Sequence, residues 1–180
     1  MNLKKIRSRK SLKFLGLLIS SLLIATVSAT TYRYLYIDGS ITVGTQYMSW
    51  ILGTDAPSDA SISGTTAIMD FDVEEGTPLN FTEALFLKNN NATGSFTYNI
   101  TLLTNVSSSH FQRAQMHIFQ NWTGPATNWT YVDTLDLTDP DDYYSSSLAA
   151  SKYLRMTFEI NATIASGTKD FDVQVEYWAP

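Results

Sequence analysis

Leu154-Arg155-Met156-Thr157-Phe158-Glu159-Ile160-Asn161 alternates apolar and polar residues without a break, and the chain closes on a second such run, Asp170-Phe171-Asp172-Val173-Gln174-Val175-Glu176-Tyr177. A period of two sends successive side chains to opposite faces of a β-strand, one buried and one wet. Phe96, Tyr98, Ile100 and Leu102 alternate with Thr97, Asn99 and Thr101 in the same way. Further strands are predicted near 31–37, 41–51, 66–73, 81–88, 113–120 and 128–135, in a chain rich in Thr, Tyr, Val, Ile and Phe. Turn signals separate them at Asp38-Gly39, Gly53-Thr54-Asp55, Gly76-Thr77-Pro78, Asn89-Asn90-Asn91, Gly124-Pro125, Asp139-Pro140 and Ser166-Gly167. The expectation is an all-β fold, a two-sheet antiparallel sandwich of jelly-roll type with nine or ten strands. Residues 141–153, with Leu148, Ala149 and Ala150, read as the one short helix. Asp70-Phe71-Asp72-Val73 echoes Asp170-Phe171-Asp172-Val173, and two exposed acidic strands account for that without a duplication.

The first 29 residues read as an export signal. Lys4, Lys5, Arg7, Arg9, Lys10 and Lys13 precede an apolar run from Phe14 to Val27, and Val27-Ser28-Ala29 offers small residues for a cut between Ala29 and Thr30. An uncleaved anchor and a leader cut ahead of the apolar run are the other readings; Gly16 and the Val27-Ser28-Ala29 site speak against the second. The domain plan is therefore a signal peptide at 1–29, an N-terminal segment at 30–38 and a β-sandwich at 39–180. Six of the twelve basic residues lie in the leader and all seventeen acids lie beyond it, so the mature charge is 6 − 17 = −11. That balance disfavours nucleic acid and anionic lipid as partners, and leaves the membrane in contact only with the leader. The chain has no cysteine, so its stability must come from packing, from sheet hydrogen bonds or from neighbouring subunits. The expected location is secreted, extracellular or on the cell surface.

Asn-x-Ser/Thr occurs at Asn80, Asn91, Asn99, Asn105, Asn121, Asn128 and Asn161. Seven of ten asparagines is far above the 10 × 41/180 expected from the 41 Ser and Thr, which is roughly two. Asn99 and Asn161 fall on the polar side of their strands, while Asn91 and Asn105 fall in turns. The expectation is a surface carrying N-linked glycans.

Catalytic and metal patterns are not evident. His110 and His117 stand seven apart without the partners a zinc site needs, and neither a nucleophile elbow nor a phosphate-binding glycine loop occurs. Asp70, Asp72 and Glu74, like Asp170, Asp172 and Glu176, are alternate strand residues that read as a solvated face before a glycosidase pair. Asp139, Asp141 and Asp142 form an acidic turn with a weak claim on Ca²⁺, without EF-hand spacing. Trp50, Trp122, Trp129 and Trp178 suit a core, an interface or a sugar platform. The reading is a non-enzyme without cofactor or bound metal.

Thr31-Tyr32-Arg33-Tyr34-Leu35-Tyr36-Ile37 is β-prone and lies at the mature N-terminus. It is either the first strand of the chain's own sheet or a donor strand that completes the sheet of an identical subunit. The order of leader, β-prone start, Phe81-Thr82-Glu83-Ala84-Leu85-Phe86-Leu87-Lys88-Asn89-Asn90, Gly94-Ser95-Phe96-Thr97-Tyr98 and the closing pair quoted above resembles TasA-type matrix proteins and archaeal bundling pilins. The resemblance implies a jelly-roll subunit that polymerises head-to-tail by donor-strand complementation into pilus-like, biofilm-associated filaments, and the dense sequons with a Cys-free, Tyr-rich composition suit an archaeal cell surface. A metalloendopeptidase label carried by some relatives has no zinc signature here to support it. The alternative is a non-polymerising cell-surface or carbohydrate-binding sandwich using Trp122 or Trp129.

Overall fold

A computed structural model describes residues 34–43, 47–121, 128–163 and 167–178. Arg33–Pro180 form one compact unit; the leader, Thr31, Tyr32, Arg33, Trp122 and the Gly124-Pro125 turn lie outside the described residues. The described chain is all-β, with eleven strands in two sheets. They are β1 (Tyr34–Val43), β2 (Met48–Leu52), β3 (Ser61–Ser63), β4 (Thr66–Glu74), β5 (Leu79–Asn89) and β6 (Phe96–Thr104). β7 (Phe111–Asn121), β8 (Trp129–Asp136), β9 (Tyr143–Leu148), β10 (Tyr153–Ala162) and β11 (Gly167–Trp178) complete the set. One sheet, called A here, has the order β3-β4-β1-β11-β6-β9, and sheet B has the order β2-β5-β10-β7-β8.

The alternation read from sequence is the burial pattern observed. Met69, Phe71 and Val73 of β4, Tyr98 and Ile100 of β6, and Phe171, Val173 and Val175 of β11 all point inward. They meet Met116 and Ile118 of β7 and Leu154, Met156, Phe158 and Ile160 of β10 in a single core cluster. Phe158 stands between the sheets, 5.0 Å from Phe71 and 6.3 Å from Phe171, ring centroid to centroid. Removing such a ring costs roughly 3–5 kcal/mol, which makes it a principal tie between the layers.

Two local expectations are corrected. Residues 143–148 form no helix: Tyr143 to Leu148 pair antiparallel with Phe96 to Thr101 as edge strand β9. Local composition suggested a helix, but the unsatisfied edge of β6 supplies hydrogen bonds that a helix of this length cannot match. Asp38-Gly39 is not a turn either, because β1 runs through it to Val43. A Cβ at Gly39 would lie 2.1 Å from Cζ of Phe171, so this glycine serves a close approach of ring to backbone.

Candidate functional site

β1 carries the part of the predicted donor segment that is described, Tyr34, Leu35, Tyr36 and Ile37. It lies between β4, antiparallel from Tyr34↔Glu74 to Thr42↔Thr66, and β11, parallel from Leu35↔Gly167 to Val43↔Val175. Both long edges are thus satisfied by main-chain bonds, and Ile41 and Gly39 bury the inward face. The two Asp-Phe-Asp-Val segments prove to be its two neighbours. Asp38 sits in register with Asp70 on one side and Asp170 on the other, and Gly39 with Met69 and Phe171. Ser40 Oγ donates to Asp172 Oδ1, a tie between β1 and β11 outside the ladder.

The sequon asparagines separate into groups. Asn80 and Asn128 are exposed, the latter at φ 68°, a left-handed conformation that asparagine tolerates. Asn91 Oδ1 accepts hydrogen bonds from the Thr93 and Gly94 amides, an Asx turn that presents the side chain at the rim. Asn99 is half-exposed on the outer face of sheet A. By contrast, Asn105 Nδ2 donates to the Thr138 carbonyl at 3.1 Å, and Asn161 Nδ2 donates to Gln112 Oε1 at 2.9 Å. Asn121 ends β7; its side chain lies outside the described residues.

The remaining sequence candidates are dispersed. Trp50 is buried and its Nε1 donates to the Thr65 carbonyl, Trp129 lies on the outer face of sheet B, and Trp178 ends β11 in sheet A. The described tryptophans therefore share no platform. His117 Nδ1 meets Thr134 Oγ1 at 2.6 Å and its Nε2 lies 3.4 Å from Glu159 Oε2, whereas His110 is in the loop before β7. Asp139, Asp141 and Asp142 occupy the turn after β8, where Asp142 Oδ2 accepts from the Asp136 amide. Among the described residues no group of three or more His, Asp or Glu is placed to hold a metal ion. An open hollow of about 370 Å³ is lined by Pro78, Gln112, Arg113, Glu159 and Asn161, with Arg113 and Glu159 ion-paired across it at 2.5 Å.

Sequence reading missed what the registers assemble on the outer face of sheet B. Ile51↔Phe86, Phe86↔Arg155, Arg155↔Phe119 and Phe119↔Tyr131 are successive cross-strand partners, one file across all five strands. The Arg155 guanidinium lies 4.5 Å from the Phe119 ring centroid and 4.9 Å from that of Trp129. Burial lowers its pKa from the ordinary guanidinium value, while Glu83, acting from further off, opposes that shift. In the next file Lys88 Nζ lies 5.7 Å from the Tyr153 ring.

No family model matches the chain, and no curated protein does. Among solved structures it is similar to the major pilin of Streptococcus pyogenes, at 8% identity and a TM-score of 0.25, over 82% of this chain and 99% of that one. A likeness at that score leaves the function to be argued from the residues.

Proposed function

We propose that the chain is an exported, N-glycosylated structural subunit of a TasA-like extracellular filament, polymerising as each copy gives its N-terminal strand to the next. The observation that carries this reading is the seat of β1, wedged between β4 and β11. Lifting β1 out would leave two unpaired strand edges, each a template for another strand. The same segment of a second copy brings the same backbone pairing and the same Gly39 beneath Phe171. Such a contact joins unlike surfaces and does not close on itself, so it propagates as a filament.

The jelly-roll reading belongs with this proposal. It is supported by the strand orders once β1 is set aside: β4-β11-β6-β9 face β5-β10-β7-β8. Within each set neighbours run antiparallel, with β4 and β11 opposed to one another across the slot. The role proposed is structural rather than catalytic.

Negative-stain microscopy of the chain from Thr30 onward, with and without residues 30–37, tests the reading. Fibres are expected from the longer form only, and a synthetic peptide of residues 30–43 is expected to shorten them. Monomers from both forms would overturn it.

A further inference from the structure

The two outer faces of the sandwich differ in charge. Outward positions of β4 and β11 hold Asp70, Asp72, Glu74, Asp170, Asp172 and Glu176, and those of β4, β6, β9 and β11 hold no lysine, arginine or histidine. The outer face of sheet B carries Lys88 and Arg155 among half-buried rings, and among the described residues neither cation lies within ion-pair distance of a carboxylate. Ile51 and Tyr131, at the ends of the file through Arg155, are 40% and 55% exposed. Aromatic rings around an arginine make up the composition of interface hot spots.

From these observations we propose that the aromatic–cationic face of sheet B docks on the carboxylate face of sheet A of a second copy. Charge complementarity selects the occupant: the chain's own opposite face supplies acceptors for Arg155 and Lys88, with no competing cation at the described outward positions of β4, β6, β9 and β11. The contact is separate from strand exchange and requires only the folded unit.

Its size sets its strength. Five strands span four spacings of about 4.8 Å, roughly 19 Å, and two files lie roughly 7 Å apart. The rectangle they enclose, on the order of 130 Å² before side-chain margins, falls well below the roughly 800 Å² per partner of a stable complex. One pair of molecules therefore binds weakly, and arrays of the same subunit bind through repetition. In a filament this makes a lateral contact between filaments. Two sequon asparagines lie within it, Asn99 on the acidic face and Asn121 in register with Tyr153 and Trp129, so glycans there would mask it.

The test uses unglycosylated chain from Thr30 onward, coupled densely to beads, and does not depend on fibres forming. Beads bearing the unaltered protein are expected to cluster at about 0.02 M salt and disperse by about 0.5 M as the charges are screened. Arg155→Glu beads, and separately beads carrying Asp72→Lys with Asp170→Lys, are each expected to cluster about tenfold less. A mixture of the two is expected to cluster again, because one retains the acidic face and the other the aromatic one. Lys88→Glu, at a side chain not packed between rings, repeats the first loss if Arg155→Glu perturbs the fold. Dispersed beads of unaltered protein, clustering indifferent to salt and to both charge changes, or no recovery in the mixture would overturn the proposal. So would loss of clustering to soluble neutral polysaccharide, which would make the face a sugar platform.

Discussion

The two sheets hold their central strands by different means. In sheet B, β10 lies between β5 and β7 with both pairings antiparallel, and it sends Leu154, Met156, Phe158 and Ile160 into the core. In sheet A, β1 comes from the front of the chain and runs parallel to β11, meeting its neighbour's ring with a glycine. β10 is anchored by side-chain volume, and β1 is held by main-chain ladders on both edges, with Gly39 and Ile41 buried beneath it. Main-chain pairing is the part of strand recognition that another copy reproduces without new complementarity. On the proposed reading, the main-chain ladder of β1 is the part a second copy would reproduce, whereas the side-chain anchoring of β10 is specific to its own core.

Phe158→Ala gives the largest effect and marks the strength of the β10 side. A loss of roughly 3–5 kcal/mol is expected, read by urea unfolding, with both sheets lost together. An unfolding free energy changed by less than about 1 kcal/mol would refute the anchoring role given to β10.

Gly39→Val breaks the comparison from the other side. The added Cβ falls within van der Waals radius of the Phe171 ring, so about 1–3 kcal/mol or more is expected. Hydrogen exchange decides where it acts: amides of β1 and its partner positions on β4 and β11 should lose protection while β10 and β7 keep theirs. Uniform loss across both sheets would show that β1 does not open by itself.

Tyr98→Phe is the smallest change at neutral pH and sharpens the picture of sheet A. Tyr98 is fully buried on β6, and burial, with Tyr144 beside it, pushes the phenol's pKa up from its ordinary value near 10. An unfolded tyrosine gives up its proton at about pH 10, which the native one retains. The stability this contributes is full below about pH 10 and falls as pH rises beyond it. The variant should match the parent within about 1 kcal/mol at neutral pH and lose less stability between about pH 9 and pH 11. Parallel alkaline curves would show that Tyr98 plays no such part.

Strands β4, β6, β7, β10 and β11 were legible because each buries one face and wets the other, which is a property of the local sequence. β9 was not, since Tyr143 to Leu148 becomes a strand through the edge of β6. Asn89 hid a further nonlocal tie: its Nδ2 donates to the Gly94, Leu148 and Ala149 carbonyls, fastening the end of β5 to the end of β9. The continuation of β1 through Asp38-Gly39 was hidden because Phe171, the ring that requires the glycine, lies far along the chain. The file from Ile51 to Tyr131 needs four registers at once, and no single segment announces it. Sequon positions were legible as text, while the hydrogen bonds of their amides were not.

Those amides also keep time. In the folded chain the nitrogens of Asn105 and Asn161 already donate to protein acceptors, whereas Asn80 and Asn128 stand in the open. A transferase that meets the finished sandwich would reach the second pair and be refused at the first. One that meets the chain before it folds would find all four alike. Under the proposed glycosylation, glycopeptide mapping would date the modification: sugar on Asn105 and Asn161 would record a chain glycosylated while still extended, and sugar on Asn80 and Asn128 alone would record folding that came first.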